Sequence, residues 1–467
     1  MRTSIVVFWR DLRLTDHPAL ADAVRAGAVI PVFLTNHLDD LGSARKAWLQ
    51  VSLARLKRDL ASLGSDLLLV NSPASSLASV AQALDLGIYF TDTVDRFGQA
   101  VADSLSVANL YRYPANLLFD TQLTNKQGGH FKVFTPFWKA ALAKQPILEP
   151  TPAPIKLQDN PSVRAALQAR LECCDELPQW RPKLGWDAGF YEVFEPGEIG
   201  AQERLARFIE APISRYGEHR DVPAQDATSG LSPHLAFGEI SVRTIVHRML
   251  ALGHAWHFDN VWLRELGWRE FSHYQLALNP YLDSEPLQAK FTAFPWQPNE
   301  QWLLAWQQGQ TGIPIVDAGM RQLWHTGWMH NRVRMIVGSL LVKNMLQPWQ
   351  QGRAWFDDTL LDSAPAPNWA SWQWVAGCGA DAAPYFRVFN PATQAERFDP
   401  DASYIKTWCP ELANLPAKLA IQPWLGGFSQ LRQAGVVLDK QYPKPLVDLK
   451  ESRKQALAAF SQIKAAD

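Results

Sequence analysis

The sequence predicts an N-terminal α/β domain with a Rossmann-like, doubly wound parallel sheet, followed by an all-helical C-terminal domain. Two observations predict this fold class. Over residues 1–130, short apolar runs alternate with segments of helical periodicity, which is the rhythm of a parallel sheet with crossover helices. From about residue 200 onwards the apolar spacing is mostly helical, and no regular strand pattern is present.

The strands and helices of the N-terminal domain are predicted from local patterns. Apolar runs at residues 4–8, 29–34, 66–70 and 87–90 are typical of strands that are buried on both faces. A helix is predicted from Pro18, and leucines at helical spacing predict another over residues 44–63. The sequence has neither GxGxxG nor a Walker lysine loop, so ordinary dinucleotide or ATP binding is not predicted here.

The predicted domain boundaries lie where these patterns change. Residues 1–130 form the predicted α/β domain. Residues 131–198 contain scattered prolines and weak periodicity, and they form a predicted connecting segment. Residues 199–467 form the predicted helical domain.

Composition limits the classes of protein to be considered. The net charge is −1, so a nucleic-acid-binding surface would have to concentrate positive charge on one face. The four cysteines include the adjacent Cys173 and Cys174 and lack zinc-type spacing, which predicts a reducing compartment and no metal site. We find no apolar run of transmembrane length and no signal peptide, and we expect a cytoplasmic protein without a membrane partner. The 20 tryptophans suit core packing, ring stacking or electron transfer.

A segment at residues 226–234 has the residue types of a phosphate site. It reads DATSGLSPH, with small hydroxyl residues and a glycine before a proline suited to the first turn of a helix. Backbone N–H groups and hydroxyls at such a turn bind phosphate, although an ordinary helix cap has the same composition.

Three further segments carry residues suited to chemistry. The first of these segments is WLRELGWREF at 262–271, and on a helix it would place on one face Trp262, Glu265, Trp268 and Arg269. Glu265 is then either a functional carboxylate between two indoles or one half of a surface ion pair with Arg269. The segment GWMHNRVRM at 327–335 opens an apolar helix, in which His330 is expected to be structural. The last segment runs from Asp362 through WQWVAGCGAD at 372–381 to PYFRVFN at 384–390.

Together these segments resemble the cryptochrome/photolyase family, and within it the bacterial class I cyclobutane pyrimidine dimer photolyases. FWRDLRL at 8–14 and FTPFW at 134–138 are similar to the family's opening strand and linker motif. TSGLS at 228–232 and the three later segments are similar to its flavin domain, in the family's order and spacing.

The resemblance implies an N-terminal antenna domain and a C-terminal helical domain that binds FAD and DNA. It implies light-driven repair of cyclobutane pyrimidine dimers in flipped-out bases of DNA, by electron transfer from reduced FAD. It also implies a bacterial monomer associated with the nucleoid when bound to DNA. A second antenna chromophore of the folate, deazaflavin or flavin type is implied, and the sequence leaves its identity open.

The resemblance assigns roles to individual residues. The FAD-binding positions are Tyr216, Thr228, Ser229, Gly230, Leu231, Ser232, Trp262, Arg269, Asn331, Arg334, Asp362, Ala364 and Asn368. Among them, Asn331 and Asn368 match amides near the isoalloxazine, and Asp362 with Arg334 matches an ion pair beside that ring.

Substrate and electron-transfer roles follow in the same way. The catalytic positions are Glu265, Trp268, Asn331, Met335, Asn368 and Trp374, with Glu265 contacting the pyrimidine carbonyls and Trp268 and Trp374 forming the walls of the dimer pocket. The DNA-binding positions are Arg220, Glu265, Trp268, Arg332, Arg387 and Gln394, and the electron relay consists of Trp296, Trp349 and Trp372. Met335 matches the contact residue of dimer-specific enzymes.

The segment 362–369 departs from the family pattern. Ala364 replaces a second acid near the flavin, Pro367 replaces one of two asparagines, and Trp369 replaces a small residue. These changes remove a negative charge near the flavin and stiffen the loop. For this reason a cryptochrome, which has the same fold and flavin but does not repair DNA, is the alternative function. A non-photochemical flavoprotein is a second alternative, although it would not need arginines around a Trp-walled pocket.

Overall fold

The computed structural model describes residues 2–106, 109–144, 147–182, 185–382 and 386–464, which form two compact units. The first unit contains Met1–Glu210, Ser229–Pro280 and Leu361–Ala366. The second contains Ala211–Thr228, Tyr281–Leu360 and Pro367–Asp467.

The first unit is built on a six-stranded sheet with the order β5-β4-β1-β2-β3-β6. Its strands are β1 Arg2–Phe8, β2 Gly27–Leu34, β3 Leu68–Val70, β4 Gly87–Thr91, β5 Leu110–Tyr113 and β6 Cys173–Cys174. All neighbours pair in parallel except β6, which runs antiparallel to β3. The predicted doubly wound sheet is therefore confirmed, and it is mixed at one edge.

The local patterns explain most of the strands. The side chains of β1 after Arg2 and those of β4 are buried, as expected for strands covered on both faces. The run at 66–70 is shorter than predicted, because only its last three residues pair with β2. The edge strands β5 and β6 have partly exposed side chains, so they lack the continuous apolar run that predicts a buried strand.

Helices pack around this sheet and continue beyond it. Their bounds are Pro18–Ala26, Ser43–Ser62, Ala74–Ala83, Arg96–Ser104, Phe134–Leu142, Pro161–Gln168, Phe190–Val193, Glu198–Glu210, Ser232–Ala236, Val242–Ala251 and Val261–Leu278, with a short 3₁₀ turn at Trp186–Gly189. The predicted helices from Pro18 and over 44–63 are confirmed. Residues 131–198 contribute three of these helices (Phe134–Leu142, Pro161–Gln168 and Phe190–Val193) and the antiparallel strand β6 to this unit.

The second unit is helical throughout its described residues, apart from one isolated bridge between Leu438 and Tyr442. Its helices are Tyr216–His219, Glu300–Gln307, Pro314–Thr326, Asn331–Ser339, Trp349–Thr359, Pro365–Ala376 (whose first two residues belong to the first unit), Pro391–Phe398, Ser403–Trp408, Ala417–Ile421, Phe428–Gln433 and Leu449–Lys464. A π-helical turn at Leu340–Asn344 extends the helix Asn331–Ser339, and 3₁₀ turns lie at Pro212–Arg215, Ala289–Ala293, Pro410–Leu412 and Pro423–Leu425. Its core includes the buried Trp306, Trp349 and Trp372.

Within the described residues, no helix has the length and apolar character needed to cross a membrane.

Candidate functional site

The predicted site residues are distributed over both units. The first unit holds Ser229, Gly230, Leu231, Ser232, Trp262, Glu265, Trp268, Arg269, Asp362 and Ala364. The second holds Tyr216, Arg220, Thr228, Trp296, Asn331, Arg332, Arg334, Met335, Trp349, Asn368, Trp372, Trp374, Arg387 and Gln394. The expected Asp362–Arg334 ion pair joins residues of different units and stays a prediction.

The TSGLS segment forms a tight turn that leads into a helix. Pro233 lies in the first turn of the helix Ser232–Ala236, as predicted, and Ser229 Oγ accepts a hydrogen bond from the N–H of Leu231 at 3.3 Å. Gly230 has φ +61°, and a Cβ there would lie 2.5 Å from the guanidinium of Arg204. The turn thus packs directly on an arginine that sequence reasoning missed. Its positive charge suits the predicted phosphate site.

The helix Val261–Leu278 carries the second predicted group. Trp262 is 7% exposed, and its indole N–H has no hydrogen-bond partner among the described residues. A buried donor without a partner is costly, and an acceptor atom of a bound cofactor would satisfy it. Trp262 therefore fits its predicted place beside FAD.

Arg269 on the same helix pairs with its neighbour Glu270, with 3.1 Å between Nη1 and Oε1. Arg269 therefore pairs with Glu270 and not with Glu265, as the alternative of a surface pair had suggested. Glu270 is buried, and its other oxygen accepts the N–H groups of Leu118 and Phe119 at 2.8 and 3.2 Å. Burial raises the pKa of Glu270 to about 7, against the opposing effect of the Arg269 guanidinium and of both N–H groups.

Glu265 and Trp268 lie one turn apart and are both partly buried. The Trp268 ring stacks on Phe134, with centroids 3.8 Å apart and planes at 11°. Phe134 begins the helix Phe134–Leu142, which carries the predicted linker motif. This motif therefore has a structural role that sequence reasoning did not identify, because it covers one face of Trp268 and fixes the indole plane.

In the second unit, the GWMHNRVRM segment joins two helices instead of opening one. Gly327 has φ +65° and ends the helix Pro314–Thr326, a left-handed position that favours glycine. The next helix begins at Asn331, and His330 caps it by accepting the N–H of Arg332 at Nδ1, 3.1 Å away. The expected structural role of His330 thus has a defined geometry.

This cap requires a neutral imidazole and predicts a pH dependence of stability. Burial, together with the nearby guanidinium groups of Arg334 and Arg332, lowers the pKa of His330 to about 4 from an ordinary 6.5. Because the folded pKa lies below the unfolded one, this contribution to stability is present above about pH 6.5 and is lost as the pH falls towards 4. The loss is at most ~3 kcal/mol at about 1.4 kcal/mol per pKa unit.

The measurement is urea unfolding followed by circular dichroism at several pH values between neutral and mildly acidic. His330→Asn keeps a capping side chain that does not titrate, so its unfolding midpoint should change less with pH than that of the wild type. An equal pH dependence in both proteins would contradict this role.

Arg332 brings several predicted residues of the second unit together. Its guanidinium bonds to Asp221 at 2.7 Å, lies 4.4 Å from the ring centroid of Phe398, and has Nη1 3.7 Å from the sulfur of Met335. Arg220 reaches the same carboxylate at 3.9 Å. Asp221 was not predicted, and the only available signal was an acid placed directly after a predicted DNA-binding arginine.

Neighbouring contacts extend this group. Arg220 lies over the ring of Tyr216, with 5.4 Å between the guanidinium carbon and the ring centroid. Gln394 lies on the helix Pro391–Phe398, one turn before the Phe398 ring that Arg332 covers. Predicted residues for DNA, dimer and FAD are thus neighbours on this unit.

The segment 362–369 differs from the predicted stiff loop. Asp362 is 8% exposed, and a helix begins at Pro365, so Pro367 lies in its first turn. Proline suits that position because the first N–H groups of a helix need no partner within it. Asn368 follows on the same helix and donates from Nδ2 to Asp357 Oδ1 at 2.8 Å, which fixes the amide orientation.

Two members of the predicted relay lie in the core of the second unit. Trp372 and Trp349 are 3% and 1% exposed. The Trp372 ring packs on Gly352, where an added Cβ would lie 2.1 Å from it. Gly352 lies one turn after Trp349 on the helix Trp349–Thr359, so only a glycine lets Trp372 approach that helix so closely.

The third member, Trp296, is partly exposed and lies in a clamped segment. The N–H of Gln297 bonds to the carbonyl of Leu346 at 2.8 Å, and Gln347 Nε2 donates to the carbonyl of Gln297 at 2.9 Å. These bonds fix the Trp296 segment beside the turn before Trp349. The arrangement is consistent with a relay from the interior to the surface of this unit.

Trp374 and Arg387 line one pocket of the second unit, with a cavity volume of about 210 Å³. Trp374 was predicted as a wall of the dimer pocket and Arg387 as a DNA contact. Residues 383–385 of the motif between them lie outside the described residues. Lys343 also lines this pocket and was missed, although a single lysine directly after the mostly apolar run 336–342 is a detectable signal.

A separate place in the first unit has features that suit a second chromophore of the kind that the resemblance implies. The chain leaves β1 at Trp9 and β4 near Thr93, at the carboxyl ends where the sheet's strand order reverses and where α/β proteins bind ligands. The Trp9 indole N–H and the Thr93 hydroxyl are buried there without hydrogen-bond partners among the described residues. Both lie beside Gly98, within 3.0 Å of where its Cβ would be.

Residues 4–156 match the family model of DNA photolyase, and residues 262–462 match that of the FAD binding domain of DNA photolyase. A relative from Agrobacterium fabrum, named deoxyribodipyrimidine photo-lyase, is 39% identical and covers 99% of both chains. Cryptochrome-1 of Arabidopsis thaliana is 35% identical over 98% of this chain and 70% of its own length.

A solved structure agrees closely with the fold. The bacterial class III photolyase from Agrobacterium tumefaciens superimposes with a TM-score of 0.90 at 37% identity, covering 100% of this chain and 98% of that one. The expected class I subtype is not confirmed, since this similar structure is described as class III.

Proposed function

The chain belongs to the DNA photolyase and cryptochrome family and contains its FAD-binding domain, and we propose that it is a deoxyribodipyrimidine photolyase. It uses light to repair cyclobutane pyrimidine dimers in DNA. Dimer-containing DNA is its partner, and it acts as a cytoplasmic monomer without a metal.

The environment of Arg332 carries this proposal. The guanidinium touches Met335, the predicted dimer contact, while Asp221 and Phe398 hold it from other sides. An arginine fixed in this way suits a DNA phosphate next to a bound dimer. Arg220, which reaches the same carboxylate, adds a second positive charge. A sensor without a DNA substrate would not need this arrangement.

The protein's residues prepare the substrate for electron transfer. When bound and reduced, FAD would supply the electron that opens the cyclobutane ring and would accept it again afterwards. Trp262 and Arg269, with Ser229–Ser232 of the TSGLS turn, are among the residues of the first unit that would hold FAD. Glu265 binds the pyrimidine carbonyls, where negative charge develops, and Trp268 and Trp374 stack on the flipped bases.

The altered segment at 362–369 favours the cryptochrome alternative. Ala364 removes a negative charge next to Asp362, and relatives named cryptochrome are similar to this chain over nearly its whole length. Asn368 is engaged by Asp357, however, so the amide keeps a fixed orientation despite the neighbouring changes. The two functions differ only in whether a bound dimer is split.

The test uses purified, chemically reduced protein and a single-stranded oligonucleotide that carries one thymine dimer. Restored thymine is measured after blue light and in a dark control. We expect light-dependent restoration, which would also show that Ala364 and Trp369 are tolerated. Bound, photoreducible FAD without restoration would favour the cryptochrome, and light-independent redox activity on a small substrate would favour another kind of flavoprotein.

A further inference from the structure

The pocket that contains Trp374 has a strongly basic lining. Its charged residues are Lys290, Lys343 and Arg387, and no acidic side chain lines it among the described residues. Aromatic rings, among them Phe386, form much of the remaining wall. A concave site that combines cations with aromatic rings is typical of recognition of a nucleic acid or a nucleotide.

Lys343 is the most unusual member of this lining. It lies in the π-helical turn Leu340–Asn344, a feature that is frequent at functional sites, and it is only 5% exposed. Its amine donates one hydrogen bond to the backbone carbonyl of Arg387 and lies 4.5 Å from the ring centroid of Phe386. None of the described carboxylates pairs with it, so two of its three donors are available to a bound group.

A buried cation without a counter-ion is costly, because burial favours its neutral form. Among the described residues, the charged or titratable groups that share the lining with Lys343 are Arg387 and Lys290, and the Cys378 thiol lies nearby. The C-terminal helix contributes the uncharged Phe460 to the lining. Burial and Arg387 lower the pKa of Lys343 to about 7, and the Cys378 thiol, with a pKa raised by burial to about 12, stays neutral in this range.

We propose that this pocket binds a phosphate group through Lys343 and Arg387. One source of this phosphate is a phosphodiester of the DNA strand beside the dimer. This assignment rests on the proposed function, because Trp374 and Arg387 were assigned to that substrate. The other source is a free phosphate-bearing molecule such as a nucleotide. In both cases the phosphate supplies the negative charge that the buried lysine lacks.

Binding a phosphate favours the protonated amine, so it is coupled to proton uptake. Because the free pKa is about 7, affinity should fall as the pH rises above that value, by up to about tenfold per pH unit. A phosphodiester does not titrate in this pH range, so a pH dependence of the affinity would report on titration of the protein.

The experiment compares the FAD-loaded wild type with Lys343→Met, and with Lys418→Met as a control at an exposed lysine outside the pocket. Methionine fills the space without a charge, and replacing a buried unpaired cation should preserve folding. Affinity for a dimer-containing single-stranded oligonucleotide is measured by fluorescence anisotropy across salt concentration and pH, and thymidine 5′-monophosphate is tested as a competitor.

For the DNA source, Lys343→Met should make the slope of log affinity against log salt shallower by about 0.7, as expected for one lost phosphate contact on a single strand. It should also lose the pH dependence, while Lys418→Met behaves like the wild type. If the phosphate comes from a free molecule, thymidine 5′-monophosphate should compete with the oligonucleotide for the wild type and not for Lys343→Met. A Lys343→Met variant with wild-type slope, pH dependence and nucleotide binding would overturn the proposal.

Two further readings separate the possible failures. If the wild type does not bind the dimer oligonucleotide but binds the nucleotide through Lys343, the proposed function fails while the phosphate site stands. If Lys343→Met does not fold, the comparison with this variant is replaced by labelling of the wild type with an amine-reactive ester. Mass spectrometry should then show that the oligonucleotide or the nucleotide protects Lys343, and a lack of protection by either would overturn the proposal.

Discussion

Replacing Glu265 with alanine is expected to lower the yield of repaired thymine about 10- to 100-fold while FAD stays bound. A hydrogen bond to a group that develops charge is worth about 1.5–3 kcal/mol, and each 1.4 kcal/mol is a factor of about ten in rate. Glu265 is partly buried and lies one turn from Trp268, whose ring is fixed by Phe134. The measurement is repair per absorbed photon by the chemically reduced enzyme.

The matched control is Glu265→Gln, which keeps the shape of the side chain and places an amide with N–H donors where the carboxyl stood. If the acid acts by donating a hydrogen bond to a pyrimidine carbonyl, the glutamine variant should retain more repair than the alanine variant. The flavin absorbance of both variants checks that the cofactor is present. Repair by Glu265→Ala at the wild-type yield would remove Glu265 from the mechanism.

Replacing Trp349 with phenylalanine is expected to slow photoreduction of the flavin at least about tenfold. Phenylalanine is much harder to oxidise than indole, and a rise of only about 1.4 kcal/mol in the barrier already gives a factor of ten. Trp349 begins the helix on which Trp372 packs, and hydrogen bonds of Gln297 hold the Trp296 segment beside it. The measurement is the rate of absorbance change under blue light with an external reductant.

Two controls separate electron transfer from loss of packing. Trp306→Phe removes a fully buried indole from the same core but lies outside the predicted relay, so it should photoreduce much faster than Trp349→Phe. Chemically pre-reduced Trp349→Phe should repair dimers nearly as well as the wild type, because the relay serves only to reduce the flavin. Unchanged photoreduction in Trp349→Phe would contradict the relay assignment.

Local patterns in the sequence were sufficient for much of the architecture. The strands at 4–8 and 29–34 were predictable because an apolar run without alternation has a stable place only inside a covered sheet. The helix over 43–62 was predictable because its leucines recur at the helical period. Motif order and spacing identified the family and the FAD-binding domain.

Predictions from short-range patterns were less reliable where one pattern is compatible with two local structures. Pro367 indicated a stiff loop, but proline is equally suited to the first turn of a helix, and the structure has a helix there. Similarly, an acid four residues before Arg269 suggested a Glu265–Arg269 pair. The arginine instead bonds to Glu270, which is buried and held by the N–H groups of a distant segment.

The sequence by itself determined the fold class, the family and the residue types available for chemistry, because these depend on periodicity and on motifs that are contiguous in the chain. Only the tertiary structure decided which side chains meet. Asp221 reaches Arg332, Phe134 reaches Trp268, and Arg204 reaches Gly230 across gaps of 26 to 134 residues. The burial of Lys343 without a carboxylate was also invisible in the sequence, since desolvation depends on everything that packs around a charge and not on its neighbours in the chain.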